Sequence, residues 1–117
     1  MKFSLLIAIV DKTKADHAID IAKENGAGGV THLNGTGLGL NEQKTFFGLT
    51  YERAESVLLF VLEKSTSLKV MKALNRELKL EELGEGIVLT LPVEHLAGIT
   101  GKQIEQFQQQ LKKENIV

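Results

Sequence analysis

The sequence predicts one α+β domain with the element order strand, helix, strand, strand, helix, strand, and one further helix at the C-terminus. Three observations support this prediction. The 117 residues suffice for one domain with a full core and are too few for two. Apolar runs rich in branched residues alternate with segments whose apolar residues recur at helical spacing. Glycine-rich stretches separate several of these segments.

The composition is that of an ordinary globular protein, with 43% hydrophobic and 25% charged residues. The net charge is −1 and the basic residues are scattered, so we expect no nucleic-acid partner. The chain has no cysteine, which excludes disulfides, thiolate metal sites and cysteine nucleophiles. The N-terminal apolar run lacks the features of a signal peptide, and no run approaches the about 20 apolar residues of a membrane span. We therefore expect a cytoplasmic protein without direct membrane insertion.

The first strand and helix are predicted from residues 2–10 and 11–26. The strand is apolar on both alternate faces, which is typical of a strand buried on both sides. Asp11 or Thr13 is expected to cap the helix by accepting from its free backbone N–H groups. Gly26 is expected to end it in the left-handed conformation. The apolar stripe of this helix consists of Ala15, Ala18, Ile19 and Ala22.

The middle of the chain predicts a second strand over residues 28–33 and a third over residues 55–63. The third strand is again apolar on both faces. Residues 65–80 predict the second helix, with Ser65 or Ser67 as its cap. Its apolar stripe consists of Leu68, Met71, Leu74 and Leu78.

The C-terminal part predicts a glycine loop over residues 81–86, a fourth strand over residues 87–94 and an amphipathic helix over residues 100–115. The helix carries its apolar residues on one side, at Ile104, Phe107 and Leu111. The whole order is the split βαβ, ferredoxin-like plan, in which two helices cover one face of a four-stranded sheet. The other face would then expose a large apolar patch. We expect other subunits to bury it, and coverage by the C-terminal helix is the alternative.

No motif of a metal site or of a catalytic group is visible. The three histidines, His17, His32 and His95, share no metal-ligand spacing, and each is interpreted as an exposed or structurally bonded residue. Neither a Ser-His-Asp arrangement nor a nucleophile elbow is present. An acylphosphatase-like enzyme of the same topology would need a phosphate-binding arginine, and only Arg53 and Arg76 are available. We expect no enzymatic activity.

Two glycine triplets stand beside predicted strands: Gly35-Thr36-Gly37 after the second strand, and Gly84-Glu85-Gly86 before the fourth. Glycine allows backbone N–H groups to converge on a ligand and allows the ligand to approach closely. A tight turn needs glycine equally, so either triplet alone is a weak indication. Neither is a Walker loop, because no Gly-Lys-Ser/Thr follows.

In this topology the two triplets resemble the PII signal-transduction family, also called the nitrogen regulatory protein PII family, and more closely its members with a shortened T-loop. The similarity covers residues 1–101, and the helical extension 102–117 lies outside it. Its most specific part is the stretch from Leu83 to Ile99. The segments that carry it are "FSLLIAIV", "GAGG", "NGTG", "FFG" and "LGEGIVLTLPVEHLAGI".

The resemblance implies a homotrimer that binds an adenine nucleotide, ADP or ATP, in each cleft between subunits, with Mg²⁺ as an accompanying ion. The ligand-binding positions that it implies are Gly35, Thr36, Gly37, Gly84, Glu85, Gly86 and Ile87. Arg53 is a further expected phosphate partner, as a replacement for a missing cation of the family. The T-loop, residues 34–48, would change conformation with the ligand and dock onto a target protein, a transporter or an enzyme. Its expected contact residues are Leu38, Asn41, Glu42, Lys44 and Phe46.

The sequence departs from the family pattern where phosphate charge would be neutralised. Ile87 replaces the lysine that follows the second glycine of the B-loop, and Gly98 and Thr100 fall near the C-terminal arginines. Fewer charge-assisted hydrogen bonds would favour ADP, AMP or another ligand over a triphosphate. The cations that would replace the missing ones are Arg53, Lys44 or Lys102.

Other functions remain as alternatives at this point. A ligand-free trimeric interaction scaffold of the PII/CutA-like group would use the glycines for turns only. An RNA-recognition module on the same topology would need exposed aromatic residues for base stacking. The chain has five phenylalanines, one tyrosine and no tryptophan, which disfavours that function. The C-terminal helix is expected to cap the trimer, cover the nucleotide cleft or dock a partner.

Overall fold

The computed structural model describes residues 1–38, 45–46, 49–50, 53–84 and 86–115. The strands are β1 (Phe3–Asp11), β2 (Thr31–Gly37), β3 (Thr45–Phe46), β4 (Leu49–Thr50), β5 (Arg53–Glu63) and β6 (Gly86–Val93). The helices are α1 (Ala15–Glu24), α2 (Lys64–Glu77), α3 (Leu80–Leu83) and α4 (Gly101–Asn115). A short 3₁₀ turn, Lys12–Lys14, joins β1 to α1.

The main sheet has four strands in the order β2-β5-β1-β6, and all neighbours are antiparallel. β3 and β4 pair with each other in a separate two-stranded sheet. β1 therefore lies between β5 and β6, while β2 and β6 form the two edges. This arrangement confirms the α+β, split βαβ order that the sequence predicts.

One face of the main sheet is buried beneath α1 and α2. Even-numbered residues of β1 and β5 point to this side, and Leu6 opposite Phe60 is a representative pair. Apolar residues of both helices pack on them, so a single hydrophobic cluster fills the space between helices and sheet. Its members are Leu6, Ala8, Val10, Ala18, Ile21, Ala22, Leu58, Phe60, Leu62, Val70, Ala73, Leu74, Leu78 and Leu80.

The other face, called the open face here, is formed by odd-numbered residues of β1, β5 and β6 and by Leu33 of β2. It includes Leu5, Ile7, Ile9, Val57, Leu59, Val61, Ile87, Leu89 and Leu91. Its edges are the most exposed, with Ile87 at 56% and Leu33 at 49%. Within one chain α1 and α2 both lie on the opposite face, so the expected burial of the open face by other subunits stays a prediction.

The helix α4 lies at one end of the open face. The ring of Phe107 meets the ring of Phe3 edge to face, with centroids 5.3 Å apart. Val61 of β5 nevertheless stays 42% exposed, and Ile104 of α4 stays 38% exposed. The C-terminal helix thus covers only part of the open face. In the single chain this face is neither bare nor fully covered by α4.

The predicted end of α1 agrees with the structure, since Gly26 adopts a φ of 111° after its last turn. The predicted N-terminal cap differs: the Asp11 carboxylate accepts from the backbone N–H of Thr13 at 2.9 Å and so caps the 3₁₀ turn, while α1 begins after Lys14 without a side-chain cap. At α2 the predicted serine caps are wrong. The helix begins directly after β5, and the Glu63 carboxylate accepts from the backbone N–H of Ser65 at 2.7 Å.

Two further predictions for α2 need correction. Leu68 is 40% exposed, because the side of the helix that faces the sheet carries Val70, Ala73 and Leu74 instead. The helix also ends at Glu77, before the predicted residue 80. The short helix α3 then occupies part of the segment that the sequence indicates as a glycine loop.

The start of α4 is fixed by a reciprocal pair of hydrogen bonds. The backbone N–H of Thr100 donates to the side-chain oxygen of Gln103 at 2.9 Å, and the backbone N–H of Gln103 donates to the Thr100 hydroxyl at 3.3 Å. This is a capping box, which satisfies two of the free N–H groups of the first turn. It explains why the helix begins at the predicted position although a glycine occupies its first residue.

Candidate functional site

The first glycine triplet forms the last three residues of the edge strand β2. The prediction that it follows the strand is therefore wrong: β2 begins at Thr31, three positions later than predicted, and its pairing with β5 continues through Gly37. Gly35 lies opposite Glu55 of β5, and Gly37 lies opposite Arg53. The structure thus brings Arg53 beside the first triplet, as the interpretation of Arg53 as a phosphate partner requires. Thr36, between the two glycines, is exposed.

The second triplet joins α3 to the other edge strand, β6. Gly84 has a φ of 61° and donates its N–H to the carbonyl of Leu80 at 2.9 Å, so it ends α3 in the left-handed conformation. Gly86 is the first residue of β6 and lies opposite Val10. Glu85, between them, lies outside the described residues.

Gly86 is required by packing. A Cβ atom at this position would lie 2.8 Å from the carbonyl oxygen of Ile9, and side-chain atoms of Leu80 and Val10 would lie within 3.3 Å. The closest of these atoms belongs to the backbone of the central strand, which cannot turn away. Glycine at this position therefore has a purely structural reason.

Gly35 has no such reason. A Cβ atom there would first meet a methyl group of Val57 at 4.0 Å, and the φ of Gly35 is not in the left-handed region. Gly37 is intermediate, since its Cβ would meet the carboxylate of Glu55, the far end of a flexible side chain. Of the four glycines in the two triplets, Gly35 is thus the one without a steric or conformational reason to be glycine.

The two triplets lie at the same end of the sheet and at opposite edges. The strand pairings align Asn34, Ser56, Val10 and Gly86 in one row across the four strands. Three strand spacings of about 4.8 Å separate the edges, so the triplets are roughly 14 Å apart. The central strands fill the distance between them. Within one chain, the predicted ligand-binding residues therefore fall into two groups, one at each edge of the sheet, and each group would be half of a ligand site.

The corner beside the first triplet carries charges of both signs. Asp11 lies opposite Glu55, and Arg53 is two residues further along β5. Hydrogen bonds from the hydroxyl and the backbone N–H of Thr13 lower the pKa of the Asp11 carboxyl, and the positive charges of Lys14 and Arg53 lower it further. A phosphate group at this corner would meet cations that acidic neighbours partly neutralise.

A groove of about 440 Å³ lies beside the second triplet, between α2 and β6. Gly86 and Ile87 line it, together with Lys72 of α2 and with Asn75, whose side-chain amide donates to the Glu81 carboxylate at 3.1 Å. Lys72 thus lines the same groove as Ile87, which occupies the position where the family resemblance implies a lysine, although the Ile87 side chain itself belongs to the open face. Lys72 is not among the predicted site residues. The signal that could have indicated it is the recurrence of basic residues at helical spacing along α2, at Lys69, Lys72 and Arg76.

In the described part of the chain, neither of the other two proposed replacement cations is found beside a triplet. Lys102 belongs to α4, which packs at the Phe3 end of the sheet, away from the triplets. Lys44 lies outside the described residues.

Of the expected partner contacts, Leu38 follows β2 and is 45% exposed. Asn41, Glu42 and Lys44 lie outside the described residues. Phe46 pairs through its backbone with Leu49 in the two-stranded sheet. The role of these five residues stays a prediction.

The described residues contain no group of three or more histidine, aspartate or glutamate side chains arranged to hold a metal ion. His32 places its Nε2 atom 2.8 Å from the hydroxyl of the buried Ser56, which agrees with the interpretation of a structurally bonded histidine. None of the helices within the described ranges has the length and apolar character needed to cross a bilayer.

Comparison with known proteins finds similarity in structure only. No protein-family model and no curated protein matches the chain. CPII, a nitrogen regulatory PII-like protein from Thiomonas intermedia K12 solved with ADP, AMP and bicarbonate, matches with a TM-score of 0.63 and 13% identity over 85% of this chain and 98% of its own. A DUF3240 family protein from Shewanella baltica OS155 matches with a TM-score of 0.62 and 14% identity over 86% of this chain and 99% of its own.

A putative PII-like signalling protein from Thermus thermophilus gives a TM-score of 0.58 and 16% identity, over 80% of this chain and 87% of its own. These structural similarities show that the chain is a ferredoxin-like α+β domain. More particularly, it has the fold of PII-like signalling proteins. The resemblance that the sequence indicates is thereby confirmed at the level of the fold.

The two kinds of glycine differ in a measurable way. We expect Gly86→Ala to lower the free energy of unfolding by about 1–3 kcal/mol, because its methyl group overlaps the backbone of β1. We expect Gly35→Ala to be neutral or to stabilise by about 0.4–1 kcal/mol, because a compatible alanine restricts the unfolded chain. Urea unfolding of both variants measures this. Equal losses in the two would contradict the assignment.

Proposed function

We propose that this protein is a non-enzymatic, cytoplasmic regulatory protein of the PII-like type. It binds an adenine nucleotide between the subunits of a homotrimer and signals its presence to a target protein. The observation that carries the proposal is the position of the two triplets at the same end of the sheet but at opposite edges. Half-sites about 14 Å apart in one chain form a complete cleft when the edge of one subunit meets the opposite edge of the next.

The part of the open face that α4 leaves uncovered supports the assembly. It carries apolar side chains from Leu33 of β2 across to Ile87 of β6, and these two edge residues are the most exposed. Monomeric proteins rarely leave so large an apolar surface in water. Symmetric self-association is the commonest way to bury such a surface, and a closed threefold arrangement uses both edges of every chain.

An adenine nucleotide is the proposed ligand because structures with the same fold contain one. CPII is solved with ADP and AMP in one structure and with ADP and bicarbonate in another. In this chain Lys72 and Arg53 supply positive charge, one at each half-site. Asp11 and Glu55 offset part of it at the first half-site, so we propose that ADP or AMP binds more tightly than MgATP.

The signal would pass through residues 34–48, which begin at the first half-site. A ligand shifts such a segment only if it binds one conformation more tightly than another. Gly35 and Gly37 stand at its base, so a nucleotide contact there is directly connected to the segment. The proposed contacts with a transporter or an enzyme are Leu38, Asn41, Glu42, Lys44 and Phe46.

A ligand-free trimeric scaffold of the PII/CutA-like group is the second candidate. Two observations favour it. Gly84 and Gly86 each have a structural reason that needs no ligand. The acidic residues beside Arg53 also reduce the attraction of that corner for phosphate. In this function the assembly would persist and nucleotide would have no effect.

Calorimetric titration separates the two candidates. We expect the assembled protein to bind ADP or AMP with a micromolar Kd, and Gly35→Ala to weaken this by roughly tenfold, or 1.4 kcal/mol, because the methyl group blocks close approach of the ligand to the backbone. Gly101→Ala is the matched control, since a Cβ there meets no atom within 4 Å and a Cβ at Gly35 meets only the Val57 methyl group at 4.0 Å. An assembled protein that gives no heat with ATP, ADP or AMP would favour the scaffold.

The role of Lys72 is tested in the same titration. Lys72→Ala is expected to weaken ADP binding by roughly fivefold, about 1 kcal/mol, as is usual for one exposed ionic contact. Lys64→Ala removes an exposed lysine from the same helix, about 12 Å towards its N-terminus, and should leave the affinity unchanged. Equal affinities of the two variants would exclude Lys72 as a phosphate partner.

The assembly is tested by light scattering after size-exclusion chromatography. Leu33→Lys places a charge on the open face and is expected to shift the mass from trimer to monomer, because the interface would have to bury an unpaired ammonium group. Leu68→Lys is the control, since Leu68 has a similar exposure of 40% but lies on α2. A trimer that tolerates the first change and not the second would place the interface elsewhere.

A further inference from the structure

A second cleft lies at the other end of the sheet, beneath α4. It has a volume of about 680 Å³. Its floor is the open face at Leu5, Leu59 and Val61, and its roof is the side of α4 that carries Phe107. The lining residue Thr31 of β2 lies four positions before Gly35, so the cleft begins about 13 Å from the first triplet along the strand.

One wall of this cleft contains two glycines that the fold does not require. Gly28 and Gly29 line it, just before β2. Neither has a φ in the left-handed region, and a Cβ atom added at either position meets nothing within 4 Å. Gly26, the first glycine of the same stretch, differs because it ends α1 with a φ of 111°. Glycine without a steric or conformational reason exposes backbone N–H and C=O groups to whatever occupies the cleft.

The polar groups of the cleft are neutral. α4 directs Gln103, Gln106 and Gln110 to it, and within the described part of the chain no residue that lines it carries a charged side chain. Gln103 already accepts from Thr100 through its side-chain oxygen. Its amide N–H groups and both ends of Gln106 and Gln110 offer donors and acceptors above an apolar floor. The "QFQQQ" segment and the "GAGG" segment, which the proposed nucleotide site leaves without a role, thus meet at one cleft.

We propose that this cleft is a binding site for an uncharged, planar aromatic molecule that carries an amide or amide-like edge. Its size lies within the usual range of small-molecule sites, about 300–1,000 Å³, and such sites combine an apolar lining with a few polar groups. The aromatic body packs on Leu59 and Val61, and the amide edge pairs with the glutamine side chains and with the backbone at Gly28. A charged molecule is disfavoured, because no lining residue would compensate its lost hydration.

The test uses two matched pairs of probes: nicotinamide against nicotinate, and benzamide against benzoate. Each pair keeps the ring and exchanges a neutral amide for a carboxylate. They are titrated into the ¹⁵N-labelled assembled protein up to about 10 mM, a range that suits weak binding of small fragments. We expect the amides to shift the backbone signals of Gly28 and Gly29 and the side-chain signal of Gln106. The carboxylates should bind at least tenfold more weakly.

A change of specificity gives a second readout. Gln106→Lys introduces a cation at the cleft and is expected to remove or reverse the tenfold preference for nicotinamide over nicotinate. Gln109→Lys adds the same charge to the same helix outside the cleft and should keep the preference of the unchanged protein. The thermal unfolding midpoint of both variants confirms that each is folded.

The proposed aromatic-amide site does not depend on nucleotide binding, so an experiment can contradict either proposal without contradicting the other. ADP should leave the probe titration unchanged, because its proposed site lies at the other end of the sheet. The inference is overturned if neither amide shifts the cleft signals, if the shifts fall outside the cleft, or if both lysine variants keep the original preference.

Discussion

The antiparallel pairing of β1 with β5 is the constraint on which the rest of the structure depends. Its register places Leu6 opposite Phe60 and Ala8 opposite Leu58, so large and small side chains meet beneath the helices. A shift by one residue would turn every buried side chain of one strand to the other face. The same register sets the level of both edge strands, because β2 pairs only with β5 and β6 pairs only with β1. The positions of the two glycine triplets relative to each other therefore follow from the central pair.

Much of this fold is predictable from the sequence, because apolar periodicity reports the type of each element. The order of the strands and helices agrees with the structure, and so does Gly26 at the end of α1. The bounds of β2 differ, and Asp11 caps the 3₁₀ turn before α1 instead of α1 itself. The errors concern features that depend on neighbouring elements. Intrinsic preferences favour serine as the cap of α2, yet β5 continues directly into the helix and places Glu63 there. Leu68 fits a helical stripe by spacing, but the angle at which α2 meets the sheet selects Val70 and Ala73.

The candidate site is less predictable, since a glycine has several roles that look alike in a sequence. Gly86 avoids the backbone of Ile9, which is 77 positions away along the chain, and only the folded sheet shows this contact. Gly35, in the same type of triplet, has no such neighbour. Lys72 is equally hard to predict, because only the packing of α2 along β6 brings a lysine into the groove that Ile87 also lines. The family pattern indicates which loops matter, while the contacts within this chain distinguish a structural glycine from one open to a ligand.

The exposed part of the open face and the half-sites adjoin each other. α4 covers the Phe3 end, and the row at the other end carries Leu33 and Ile87 at its two edges. Leu33 lies two residues from Gly35, and Ile87 directly follows Gly86. A second chain that buries these two side chains must also approach the glycines beside them. The apolar surface that favours assembly and the backbone that would contact a ligand are thus parts of one boundary. For that reason, in the proposed trimer, assembly and completion of the ligand site would be a single event.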